Sequence, residues 1–99
     1  MAALVECSNT VNTCLLILDR KGWRCWYDES LAMYGAEKDG WDFLAMSPAG
    51  LLGVISIYED VNPTEFREYG WRADGDEDYF ETIPNSKPDY VSVQRRSDA

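Results

Sequence analysis

Residues 33–46 read MYGAEKDGWDFLAM, and the Asp39-Gly40 step at their centre decides the fold. A two-residue hairpin loop needs positive φ at both central positions, and Asp-Gly is among the pairs that adopt it most readily. The flanking arms, 33–38 and 41–46, are therefore predicted to be antiparallel strands. Alternation places Trp41, Phe43 and Ala45 on one side of the second arm and Asp42, Leu44 and Met46 on the other. Both sides carry apolar groups, so this arm is expected to be central or covered on both faces.

On the C-terminal side, Ser47-Pro48 forms a helix start, with Ser as N-cap and Pro at the first helical position, where its missing N–H costs nothing. The helix is predicted over 48–60. Leu51, Leu52, Ile55 and Tyr58 give it a wide apolar face, while Ala49, Gly53 and Ser56 make a smooth strip on another side, a candidate oligomer interface. Glu59 and Asp60 stand at its end, where the helix dipole favours cations instead.

On the N-terminal side, the aromatic-rich run 23–27 closes on Asp28-Glu29-Ser30 and reads as a strand, with Trp23, Cys25 and Tyr27 sharing a face. Before it, Val11, Cys14, Leu15 and Leu18 recur at helical spacing. A helix over 9–20 follows, capped by Asn9 or Thr10 and stopped at Gly22, with a strand through 14–18 as the rival reading. The order predicts a two-layer α+β fold, an antiparallel sheet made of the 33–46 hairpin plus flanking strands and covered by helices near 9–20 and 48–60. Beyond Asn62-Pro63 the pattern weakens. A turn led by Thr64, a strand near 79–83 and an edge strand over 88–93 are expected there. The 99 residues are expected to form one domain, frayed at about 1–6 and 94–99.

Composition narrows the chemistry. The chain has 18 acidic side chains, nine basic ones and no histidine, for a formal charge of −9. Without imidazole the commonest general base and metal ligand near neutral pH is missing. Excess negative charge argues against nucleic-acid binding, because phosphate backbones reward basic surfaces. The longest apolar runs are far shorter than the roughly 20 residues of a membrane helix, and no basic n-region opens the chain, so a cytoplasmic location without membrane association is expected.

No cofactor or metal is expected. Cys7, Cys14 and Cys25 form no C-x-x-C pair, although Arg24 and Lys21 near Cys25 are groups of the kind that lower a thiol pKa. Asp74, Asp76 and Asp78 alternate like the first ligands of a calcium loop, but Tyr79 and Asn85 stand where such a loop needs Gly and Glu. Asp28 with Glu29, and Glu37 with Asp39 and Asp42, are the carboxylate groups that could do acid–base work without histidine, but turn chemistry explains the hairpin group and no spacing singles out a catalytic pair. No glycine motif of a phosphate-binding loop occurs.

The negative charge is concentrated. Between positions 59 and 82 nine acids face only Arg67 and Arg72, interleaved with Phe66, Tyr69, Trp71, Tyr79 and Phe80. Aromatic anchors among steering carboxylates suit a surface for a basic protein. The leading expectation is a non-catalytic interaction module, homo-oligomeric, whose partner-binding residues are Glu59, Asp60, Phe66, Tyr69, Trp71, Asp74, Asp76 and Asp78. A small-molecule site or minor enzyme lined by Trp23, Tyr27, Tyr34, Trp41 and Tyr58 is the alternative, and a purely structural oligomer is the third.

Overall fold

The structure is a computed structural model that describes residues 2–68, 70 and 82–94. Contacts divide the chain into two units, Glu6–Arg72 and a second formed by Met1–Val5 with Ala73–Ala99.

In the first unit a 3-10 turn, Ser8–Thr10, leads into α1, Val11–Arg20. Three strands follow, β1 (Arg24–Asp28), β2 (Met33–Lys38) and β3 (Trp41–Ala45), and then α2, Pro48–Val61. Among the described residues the strands form one antiparallel sheet in the order β1-β2-β3. This is the α+β arrangement that the hairpin and the two periodic segments predict.

Local chemistry explains each boundary. Asp39 (φ 53) and Gly40 (φ 86) both take the positive φ that their turn requires. Glu37 adds to it, accepting from the Gly40 N–H at 2.9 Å while its other carboxylate oxygen receives the Arg24 guanidinium. Ser47 caps α2 by accepting from the Gly50 N–H at 2.9 Å, with Pro48 behind it. Asn62, at φ 51, ends α2 in the left-handed conformation, and its N–H reaches the Tyr58 carbonyl.

At the end of α1, the Gly22 N–H bonds to Asp19 O and the Trp23 N–H to Leu18 O, both at 3.0 Å, with Gly22 at φ +95. That is a Schellman closure, and it delivers Trp23 into the core beside Leu18. At the start of α1, Thr10 holds the expected N-cap position but makes no side-chain cap bond to the helix. Thr10 is already in helical geometry, and its hydroxyl reaches back to donate to Cys7 O at 2.8 Å, so the chain turns one step earlier through the 3-10 segment.

Both helices lie on one face of the sheet, α1 against β1 and α2, and α2 against β3 and β2. Leu18, Trp23, Ala36, Ala45, Leu51 and Ile55 are buried between the layers. Lys38 at the hairpin end donates to Lys21 O at 2.8 Å, placing a cation on the C-terminal carbonyls of α1. Lys21 in turn pairs with Glu59 of α2 at 2.9 Å. The acid at the end of α2 thus has a partner that local sequence does not show.

On the other face, no described helix or strand packs against the sheet. Register aligns Trp26, Gly35 and Leu44 in one row and Arg24, Glu37 and Asp42 in the next. The Trp26 indole lies against Gly35, where an added Cβ would sit only 2.5 Å from its Cζ2 and 2.7 Å from its Nε1. Leu44 is 44% exposed and Met46 85%. The expectation that β3 is central or covered on both sides is therefore corrected. Among the described residues β2 is central and β3 is an edge, and Leu44 and Met46 on its outer side are exposed.

In the second unit, Lys87 stands over the Tyr90 ring at 4.2 Å from its centroid. The strand expected over 88–93 does not form. Residues 88–92 lack regular structure, 93 and 94 are helical, and Tyr90, Val91 and Val93 are exposed. Pro88 offers no N–H to a ladder, and the weak alternation supplies no buried face to fix one. Most of the expected 79–83 strand lies outside the described residues; Thr82 and Ile83 are not in a strand.

Candidate interaction groove

β3, α2 and the segment after α2 enclose an open groove of about 990 Å³. Trp41, Phe43 and Leu44 come from β3, and Val54, Ile57, Tyr58 and Val61 from α2. Its far side is formed by residues 62–68 and Gly70. The chain reaches that position because Asn62 turns it out of the helix, and a second turn closes from the Gly70 N–H to Arg67 O at 3.0 Å.

The floor is an aromatic cluster. Tyr58 packs with Trp41 at 5.2 Å between ring centroids, with Phe43 at 5.4 Å and edge-on with Trp23 at 5.7 Å. Such offset and edge contacts hold rings in fixed positions. Trp23 lies beneath, 2% exposed and outside the groove lining, with its indole N–H buried and without an acceptor. Tyr27 and Tyr34 pair with each other at 4.9 Å and do not line the groove. Of the five aromatics considered for a ligand pocket, Trp41 and Tyr58 are the two that meet there.

The rim is acidic. Glu65 and Glu68 line it, with Arg67 paired to Glu65 at 3.3 Å. Phe66 also lines the groove and is 82% exposed. Asp60 is exposed, whereas Glu59 is engaged by Lys21. Tyr69, Trp71, Asp74, Asp76 and Asp78 lie outside the described residues.

Among the described residues two carboxyl groups are held below their ordinary range, and neither lines the groove. Asp28 is lowered by its bonds from the Ser30 hydroxyl and from the Leu31 and Ser30 N–H groups. Glu37 is lowered by the Gly40 N–H and then by Arg24. Both bind turn and strand partners, which is the structural role that the sequence suggests for them. The Cys25 thiol is pushed up, by burial first and by Asp19 second. Arg24, one of the cations near it in sequence, points to the opposite face and engages Glu37. Cys7, Cys14 and Cys25 are all free thiols.

The strip Ala49, Gly53, Ser56 lies on α2, and nothing stands within 4 Å of a Cβ built at Gly53. Among the described residues no helix is long and apolar enough to cross a membrane. Compared with protein-family models, with curated proteins and with solved structures, the chain matches none.

What sequence reasoning missed is the groove itself. Val54, Ile57 and Val61 are ordinary helix residues by pattern, and they become groove walls because residues 62–68 and Gly70 return alongside them.

Proposed function

We propose that this protein is an interaction module without catalytic activity that binds a basic protein partner in the groove beside β3. The observation that carries this reading is Phe66, a large apolar side chain left 82% exposed on the acidic rim of an aromatic-floored groove. Fixed aromatic surface ringed by charge is the arrangement that anchors a partner at its centre and steers it from the edge. The chain's −9 charge favours a cationic partner and disfavours nucleic acid. Self-association through Ala49, Gly53 and Ser56 is a separate part of the proposal, supported by the open space above Gly53.

Calorimetric titration with blocked synthetic peptides that carry one aromatic anchor and a varying number of lysines tests the reading. Affinity is expected to rise with each lysine, fall steeply between about 50 and 200 mM salt, and drop about tenfold in Phe66→Ala. Salt-independent binding would remove the electrostatic half of the proposal. Binding unchanged in Phe66→Ala would remove the groove.

A further inference from the structure

We infer that the partner docks as an added β-strand on the free edge of β3, an extended basic segment whose alternate apolar side chains enter the groove. This rests on the groove reading above and specifies its mode.

The hairpin geometry identifies the available backbone. In a two-residue loop the closing pair, here Lys38 and Trp41, exchanges both hydrogen bonds across the strands. Alternation from that pair commits Phe43 and Ala45 to β2 as well. The N–H and C=O groups of Asp42 and Leu44 then point away from β2, toward the open edge. The groove lies along that edge, because its lining takes Trp41 and Phe43 from the inner face of β3 and Leu44 from the outer. A space touched by both faces of one edge strand borders its unpaired backbone.

Among the described residues no strand pairs with this edge. WDFLA has no Pro and no Lys, and its register with β2 is continuous from Trp41 to Ala45, without a bulge. Charge selects the occupant. Asp42 is exposed on the edge, the opposite wall carries Glu65 and Glu68 with Arg67 paired to Glu65, so acids outnumber the one base three to one, and a second copy would bring its own −9 to the contact. A strand alternating Lys or Arg with Val or Ile meets both requirements, with main-chain bonds giving affinity and alternate side chains giving selectivity.

The probe is an acetylated, amidated hexapeptide of alternating Lys and Val, together with two versions that carry backbone N-methyl groups on every Lys or on every Val. N-methylation leaves side chains and charge in place and removes donors from one edge of the peptide. With the full chain, saturating peptide is expected to slow hydrogen exchange at the Asp42 and Leu44 amides at least tenfold. At least one methylated version is expected to bind tenfold weaker or worse, and Leu44→Pro, which deletes one edge donor, to weaken the parent peptide similarly.

Equal binding of all three peptides, still reduced by Phe66→Ala, would overturn strand addition and leave the groove reading standing. Absence of binding by any of them would overturn both for a basic strand. Equal binding of the Gln-Val analogue would overturn the charge selection. Protection of Asp42 and Leu44 without peptide, with a dimer mass in sedimentation, would overturn the inference in favour of edge pairing between two copies.

Discussion

Gly35→Ala is expected to destabilise the first unit through one side chain, the indole of Trp26. A Cβ at position 35 would lie 2.5 to 2.7 Å from the Cζ2 and Nε1 of that ring, closer than real Cβ atoms come, so the ring must lift away. Trp26 is 41% exposed, which leaves more than half of it covered. Displacement returns roughly 50 to 100 Å² of apolar surface to water, about 1.3 to 2.5 kcal/mol at about 25 cal/mol per Å². Alanine recovers about 0.5 to 1 kcal/mol relative to glycine inside a strand. The net cost is about 1 kcal/mol, or about 4 to 8 °C in Tm for a domain of this size. A double-mutant cycle isolates the cause. In a Trp26→Ala background no ring remains to displace, and Gly35→Ala should become neutral or stabilising, with a coupling of about 1 to 2 kcal/mol by urea denaturation. Equal cost of Gly35→Ala in both backgrounds, within about 0.5 kcal/mol, would refute the packing argument.

Two further outcomes follow from surface geometry. The Glu37 carboxyl is held below the ordinary range in the folded chain, so the stability it contributes is present above that range and is lost as pH falls through the lowered value. Denaturation midpoints measured from pH 7 down to about 2.5 should therefore fall below about pH 4, and Glu37→Gln should flatten part of that slope; an unchanged slope would count against the Gly40 and Arg24 bonds. At Gly53, Ala is expected to stabilise α2 by about 1 kcal/mol because nothing obstructs its methyl group. Leu at the same position should leave the fold intact and lower the assembly mass in sedimentation, and an unchanged assembly would exclude the Ala49, Gly53, Ser56 strip as its interface.

Elements fixed by neighbouring residues were legible in the sequence. Asp39-Gly40, Ser47-Pro48 and Gly22 each impose a local backbone geometry, and the structure places a turn, a helix start and a helix end at those positions. Features that depend on distant contacts were not. Outward-facing Leu44 and Met46 look like the second face of a covered strand, because apolar texture alone does not tell a buried neighbour from solvent. The acids ending α2 conflict with its dipole by local sequence alone, and the cation that answers Glu59 is Lys21, 38 positions away. The groove was hidden for the same reason. Its walls come from a strand, a helix and an aperiodic return segment, and no single periodicity spans all three. Of the residues singled out for partner binding, Phe66 lies on this groove, Asp60 is exposed and Glu59 is occupied.

The Lys21–Glu59 bridge also bears on the order of assembly. β1, β2 and β3 are consecutive and joined by short turns, so the sheet is built from contacts close in sequence, which favours rapid formation. The bridge instead closes a loop of 38 positions between the ends of α1 and α2. An interaction of that span is expected to form after the main barrier, in which case removing it chiefly accelerates unfolding. Lys21→Met should therefore steepen loss of the native state in stopped-flow unfolding while leaving the refolding limb in place; a slowed refolding limb would put helix docking inside the nucleus. On this view the electrostatic clasp between the helices adds to how long the folded state lasts, and the hairpin to how soon it is reached.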